Sequence, residues 1–193
     1  MTGTTRAGLD AGVSKRIEPF ATSVWPWVDE MSERNPNAVF FGGGVPPTDV
    51  IPVDRLRYGS DLAWDDGPDT LLYGEVRGYK PLRELIARRM AMRGAEVDPA
   101  QILLTNGAQQ GIDLVARVFV NPGDIVLAEA PTFMDALRVF RSHEAEVIGV
   151  PVDEEGLNVD ALREILDRLP QPPKFLYTIP TYQNPMGVTL SAQ

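Results

Sequence analysis

The stretch Ile102-Leu103-Leu104-Thr105-Asn106-Gly107-Ala108-Gln109-Gln110 is followed by Ile112, Val115, Ala116 and Phe119 at helical spacing. It reads as a buried strand, a glycine turn and an amphipathic helix in immediate succession. The same order recurs downstream. Asn121-Pro122-Gly123-Asp124 is a strong turn, Ile125 to Ala128 a strand, and Pro131 opens a helix carrying Met134, Leu137 and Phe140. Val147 to Val150 reads as a third strand, Asn158 as the cap of a helix with Leu162, Ile165, Leu166 and Leu169, and Phe175 to Ile179 as a fourth strand. Each parallel step needs a crossover, so this alternation predicts an α/β fold: a mainly parallel sheet between two layers of helices.

Upstream, Leu82, Leu85, Ile86 and Met90 fall on one helical face, Glu84 and Arg88 form an i,i+4 pair opposite, and Gly94 can close the helix. Val39-Phe40-Phe41 is a short strand-like run that enters the irregular loop Gly42-Gly43-Gly44-Val45-Pro46-Pro47. Before it, residues 1–40 show little sustained period and read as an arm with one short helix around Trp25-Pro26-Trp27. Two tryptophans are too apolar for a free tail, which predicts that the arm packs on its own body or on a partner subunit. Residues 41–193 then form the main domain.

The composition narrows the function classes. The 193 residues carry a formal charge of −9 and no basic run, which argues against a nucleic-acid partner. With no cysteine and a single histidine, His143, the chain offers no disulfide, no thiol nucleophile and no thiolate or histidine-cluster metal site. No run approaches the ~20 apolar residues of a membrane span, and Met1-Thr2-Gly3-Thr4-Thr5 lacks the features of a signal peptide, so the expectation is a cytoplasmic protein with no membrane partner. The chain's 17 glycines and 17 prolines sit largely in loops, and the loops after strands are where ligands bind in such sheets.

Three of those turns carry chemistry. Thr105 to Gln110 places a glycine before a helix, where free N–H groups and the helix dipole favour an anion such as phosphate. The same glycine also suits an ordinary strand-to-helix turn. Glu129-Ala130-Pro131-Thr132-Phe133 brings an aromatic ring to the start of a helix, where it can stack on a flat heterocycle or join the core. Pro180-Thr181-Tyr182-Gln183-Asn184-Pro185-Met186-Gly187 is long and polar; Asn184 can donate and accept, and Asn-Pro is a bond that can be cis.

Together with Leu72-Tyr73-Gly74 and Gly78-Tyr79-Lys80-Pro81-Leu82-Arg83, these motifs, in this order and spacing from Phe41 to Gln193, resemble the class I/II aminotransferases, fold-type I pyridoxal-phosphate-dependent enzymes. The Phe41 to Pro46 loop is most similar to the branch holding 2-aminoadipate aminotransferases and the effector domains of MocR-type regulators. The resemblance implies the three-layer large domain of that fold, incomplete in this chain. It also implies pyridoxal 5'-phosphate as cofactor, amino acid and 2-oxo acid as substrates, and a homodimer. Residue by residue, it implies that Gly107, Ala108 and Gln109 hold the cofactor phosphate, Phe133 stacks on the pyridine ring, and Asn184 bonds the ring's phenolic oxygen. Tyr73 reaches the phosphate in the neighbouring subunit, and Gly43 or Gly44 lines the substrate carboxylate. Ala108 stands where many relatives have Ser, and Phe133 where many have Tyr.

The resemblance also calls for a Schiff-base lysine and an acidic partner for the pyridine nitrogen, and places both beyond Gln193. Lys15, Lys80 and Lys174 do not fit the lysine's place, so no catalytic residue is assigned here, and this chain alone is expected to be inactive. A carbon–sulfur lyase of the same cofactor class and a non-catalytic MocR-type sensing module are the alternatives. Gly74 to Lys80 is not a P-loop, because no Gly-Lys-Ser/Thr follows. His143 is expected to be an exposed residue at a helix end, and Asp153, Glu154 and Glu155 a solvated turn rather than a metal site.

Overall fold

The computed structural model describes residues 14–21, 25–39, 44 and 46–192, and the chain divides into two compact units. The first holds residues 1–23 and 106–193, the second residues 24–105. Phe40 to Gly43 and Val45 lie outside the described residues.

The first unit is built on the predicted alternation. Helix α4 (Ala108–Phe119), strand β1 (Ile125–Ala130), helix α5 (Met134–Ser142), strands β2 (Glu146–Asp153) and β3 (Gly156–Leu157), helix α6 (Val159–Arg168) and strand β4 (Phe175–Tyr177) follow in order. The sheet order is β3-β2-β1-β4; β1 pairs in parallel with β2 and β4, while the short β3 runs antiparallel to β2. A central parallel strand is covered on both faces, which is why Ile125-Val126-Leu127-Ala128 is apolar at consecutive positions and every one of them is buried. Side chains nevertheless alternate: Val126 joins Ala116, Ala136, Val139 and Phe140 under α4 and α5, whereas Ile125 and Leu127 join Val150 and Leu157 under α6. The result is helix, sheet and helix in three layers. Phe140 meets the rings of Phe175 and Tyr177 edge-on, both at 5.5 Å between centroids, and so ties α5 to the edge strand.

Asn158 caps α6 as its position suggests, its side-chain oxygen accepting the Ala161 N–H at 2.8 Å. The acidic Asp153 to Gly156 turn closes the β2–β3 hairpin, and Gly156 is required there twice over. It has φ +101°, and a Cβ would lie 2.8 Å from the Cα of Leu190, whose segment crosses it. Helix α5 starts three residues later than Pro131 suggests, at Met134, with Phe133 as its N-terminal boundary residue.

His143 is a correction. Its side chain is 10% exposed, and Nε2 lies 2.9 Å from Asp113 Oδ1 on α4. The end of α5 packs beside α4, so a residue that looks terminal in sequence is enclosed in space. Arg117 holds the other Asp113 oxygen at 2.9 Å.

The second unit contains α1 (Trp25–Arg34), α2 (Val53–Asp65) and α3 (Lys80–Ala91) with intervening loops. Helix α3 stands where its spacing predicts, and one expectation fails. Ile102 to Leu104 joins no ladder among the described residues; Leu104 N–H bonds the Arg77 carbonyl at 3.0 Å, in a loop contact, and Leu103 is half exposed. A strand needs a neighbour, and the run's apolar content alone does not supply one. On α3, Leu82 and Leu85 are exposed, and the buried residues are Arg83 and Ala87. Arg83 turns inward because loop acceptors surround it: Nε donates to the Gly78 carbonyl at 3.0 Å, Nη1 to the Pro99 carbonyl at 2.9 Å, and Nη2 to the Glu75 carboxylate.

No helix among the described residues is long and apolar enough to cross a membrane.

Candidate active site

The carboxyl ends of β1 and β4 lead into the two loops that the motifs single out, and α4 begins with the third. Gly107 sits at the N-terminal boundary of α4 with φ +82° and ψ 168°, a backbone region essentially closed to residues with a Cβ. As a glycine, Gly107 has no side chain of its own to cap the helix. The first N–H groups of a helix have no intrahelical carbonyl partners, so Ala108 and Gln109 present donors at the positive end of the dipole. Gln110, also in the motif, turns back instead: its Oε1 accepts the Asn106 N–H at 2.5 Å and fixes the turn. Ala108 and Gly111 line a cleft together with Phe175, Leu176 and Tyr177, so α4 and β4 border the same cleft.

Phe133 immediately precedes α5. It is half-buried and packs against the cluster around Val126 and Phe140. Beside it, Thr132 Oγ1 is buried without a hydrogen-bond partner. An orphaned buried hydroxyl costs about 1–3 kcal/mol, a penalty that a bound polar group can relieve.

Asn184 is exposed in the loop after β4, and the Asn184–Pro185 peptide is cis. The loop is held from below. Glu129, 3% exposed at the end of β1, accepts the Thr178 hydroxyl at 2.5 Å, the Ile179 N–H at 3.2 Å and the Gln183 amide at 2.8 Å. Burial, reinforced by the Glu129 carboxylate, pushes the Tyr177 phenol above its ordinary value. Neither Glu129 nor Gln183 was assigned a role from sequence, although an acid at the end of the run Ile125 to Ala128 is a signal: such residues are rarely buried unless partnered.

Gly107, Ala108, Gln109, Phe133 and Asn184 all belong to the first unit, on its loops and helix starts. Tyr73 and Gly44 belong to the second unit. Tyr73 is fully exposed, and Gly44 has φ +56° with open space around it. Gly43 lies outside the described residues.

The family model "Aminotransferase class I and II" matches residues 40–193. Among curated proteins, Aromatic-amino-acid aminotransferase 1 of Thermococcus litoralis is 39% identical over 80% of this chain and 38% of its own. The 2-aminoadipate transaminase of Thermus thermophilus is 37% identical over 80% of this chain and 37% of its own. The chain thus spans well under half the length of these relatives. HTH-type transcriptional regulators of Bacillus subtilis and Escherichia coli also match, at 28–34% identity. Among solved structures, alpha-aminoadipate aminotransferase from Thermus thermophilus, complexed with N-(5'-phosphopyridoxyl)-L-leucine, superposes with TM-score 0.79 at 32% identity, covering 93% of this chain and 43% of that one.

Proposed function

Since the chain belongs to the class I and II aminotransferases, we propose that it is the N-terminal part of a pyridoxal-phosphate-dependent enzyme that moves an amino group between an α-amino acid and a 2-oxo acid. The observation that carries the reading is the turn into α4 at Gly107, with φ +82°, in the same unit as the Phe133 turn and the Asn184 loop. The residues fit the cofactor. A phosphate dianion suits the start of α4 at Gly107, Ala108 and Gln109; a pyridine ring suits Phe133; and a phenolic oxygen suits the Asn184 amide. When bound, pyridoxal phosphate supplies an electron sink for the carbanion formed at the amino acid α-carbon.

The chain's own part is to bind and orient. Gly107 sets the direction of the donors, Phe133 fixes the ring plane, and Asn184 fixes rotation within that plane. Lys174, which pairs with Asp124 at 3.4 Å, lies where β4 begins, its N–H bonded to the Ile125 carbonyl at the start of β1. It is thus at the strand ends opposite the site, and Lys80 is engaged with Glu84 at 3.8 Å. On this reading the proton-moving lysine comes from a part of the protein outside this chain, and the 193 residues alone do not transaminate. Full exposure of Tyr73 fits a role across a homodimer interface, at the partner's phosphate. Gly43 and Gly44 would approach the substrate carboxylate.

The test is a binding titration with pyridoxine 5'-phosphate, which lacks the aldehyde and reads non-covalent holding alone, joined to a transaminase assay of the full-length protein with aromatic amino acids and 2-aminoadipate. Gly107→Val is expected to weaken binding at least tenfold, because a β-branched residue cannot hold that backbone conformation. Unchanged affinity would refute the phosphate assignment. The matches to HTH-type regulators support a second reading, a cofactor-sensing module without turnover. Ligand binding by the full-length protein without transamination would favour it.

A further inference from the structure

Glu129 is a buried anion with no basic side chain paired to it among the described residues, an expensive arrangement unless its donors are well placed. All three donors come from one segment, Thr178 to Gln183. The third, the Gln183 amide, is itself 2% exposed and reaches further in both directions. Its Nε2 also donates to the Pro131 carbonyl at 2.8 Å, in the turn that carries Phe133. Its Oε1 accepts the Met186 N–H at 2.9 Å, just past Asn184. The Gln183 backbone closes the same loop, accepting the Gly187 N–H at 2.5 Å and donating to the Val188 carbonyl at 2.8 Å. Between Pro131 and Phe133, the Thr132 hydroxyl makes no hydrogen bond, so it does not brace the turn.

We propose that Glu129 is a positioning residue: acting through Gln183, it locks the Phe133 turn and the Asn184 loop together and sets the slot for a flat, phosphorylated heteroaromatic ligand. This rests on the pyridoxal-phosphate reading of the site. Glu129 does not touch the ligand. Its charge matters because one carboxylate offers acceptors on both oxygens, enough for three donors at once, whereas a neutral amide offers only one oxygen.

The experiment compares Glu129→Gln and Gln183→Met with wild type in the full-length protein, using two probes. Inorganic phosphate reads the start of α4 alone; pyridoxine 5'-phosphate adds the ring that the two loops grip. The expected result is at least a tenfold loss of affinity for pyridoxine 5'-phosphate with phosphate affinity within about twofold of wild type, in both variants. Hydrogen exchange on the unliganded protein is expected to show faster exchange at the Met186 and Gly187 amides and no change at Leu127. Equal loss for both probes, or unchanged affinity for pyridoxine 5'-phosphate, overturns the proposal. If wild type holds pyridoxine 5'-phosphate no better than phosphate, the cofactor reading falls, and hydrogen exchange then decides the clamp by itself. Faster exchange at Met186 and Gly187 supports it, and unchanged exchange overturns it. Gln183→Met keeps Glu129 in place, so the comparison survives if Glu129→Gln fails to fold.

Discussion

Two buried charges organise the two units, and they are satisfied in opposite ways. In the second unit the Arg83 guanidinium, with its side chain 6% exposed, bonds two backbone carbonyls and a carboxylate, Glu75, that is itself 57% exposed. In the first, the Glu129 carboxylate has, among the described residues, only neutral donors from the loop after β4. A cation whose counter-ion stands in water is partly compensated by solvent. A buried anion held by neutral groups depends on the placement of each of them. Arg83 therefore braces a surface loop, whereas Glu129 gathers a loop that has no strand or helix of its own.

The largest effect expected from this difference is on folding stability. Glu129→Leu strands three donors in the interior and is expected to cost about 4 kcal/mol, against about 2 kcal/mol for Arg83→Met, which strands two carbonyls near the surface. Denaturant unfolding of the full-length variants measures both, and a reversed order would break the comparison.

The Asp113 cluster sharpens it at intermediate exposure. The hydrogen bond from His143, opposed by desolvation and aided by Arg117, holds the Asp113 carboxyl below its ordinary 3.8. A depressed pKa contributes stability that is complete above the unfolded value and drains away as pH falls through the folded value. Asp113→Asn is therefore expected to cost up to about 1 kcal/mol at pH 7. Its melting curve should converge with that of wild type in acid below pH 3.8. A gap that widens in acid would contradict this sign.

The smallest effect belongs to Glu75. Being more than half exposed, Glu75→Gln is expected to cost less than about 0.5 kcal/mol and to be insensitive to added salt, since the neutral amide still accepts from Arg83. A loss comparable to that of Arg83→Met would show that the ion pair, not the two carbonyl contacts, holds the loop.

Much of the first unit was legible because its signals are local. Gly107 before a helical period, Asn158 at a cap position and the apolar run Ile125 to Ala128 each draw their meaning from residues a few positions away. Phe133 and Asn184 could be picked out for the same reason: each sits in a turn whose type is written in its neighbours. The second unit was read less well. On α3 the leucines mark an amphipathic helix correctly but not its inward side, because Gly78 and Pro99 carbonyls draw Arg83 in. Ile102 to Leu104 has the residues of a strand without a partner ladder, and His143 looks terminal only until α4 is laid beside it.

The sequence by itself determined the alternation of strands and helices and the turn geometry at Gly107, since backbone preference and hydrophobic period act over a few residues. Only the tertiary structure decided what Glu129 does. Its donors lie 49, 50 and 54 residues away in the chain. No local pattern encodes that distance; the parallel pairing of β1 with β4 closes it, bringing the strand's last acid beneath the loop that follows its neighbour.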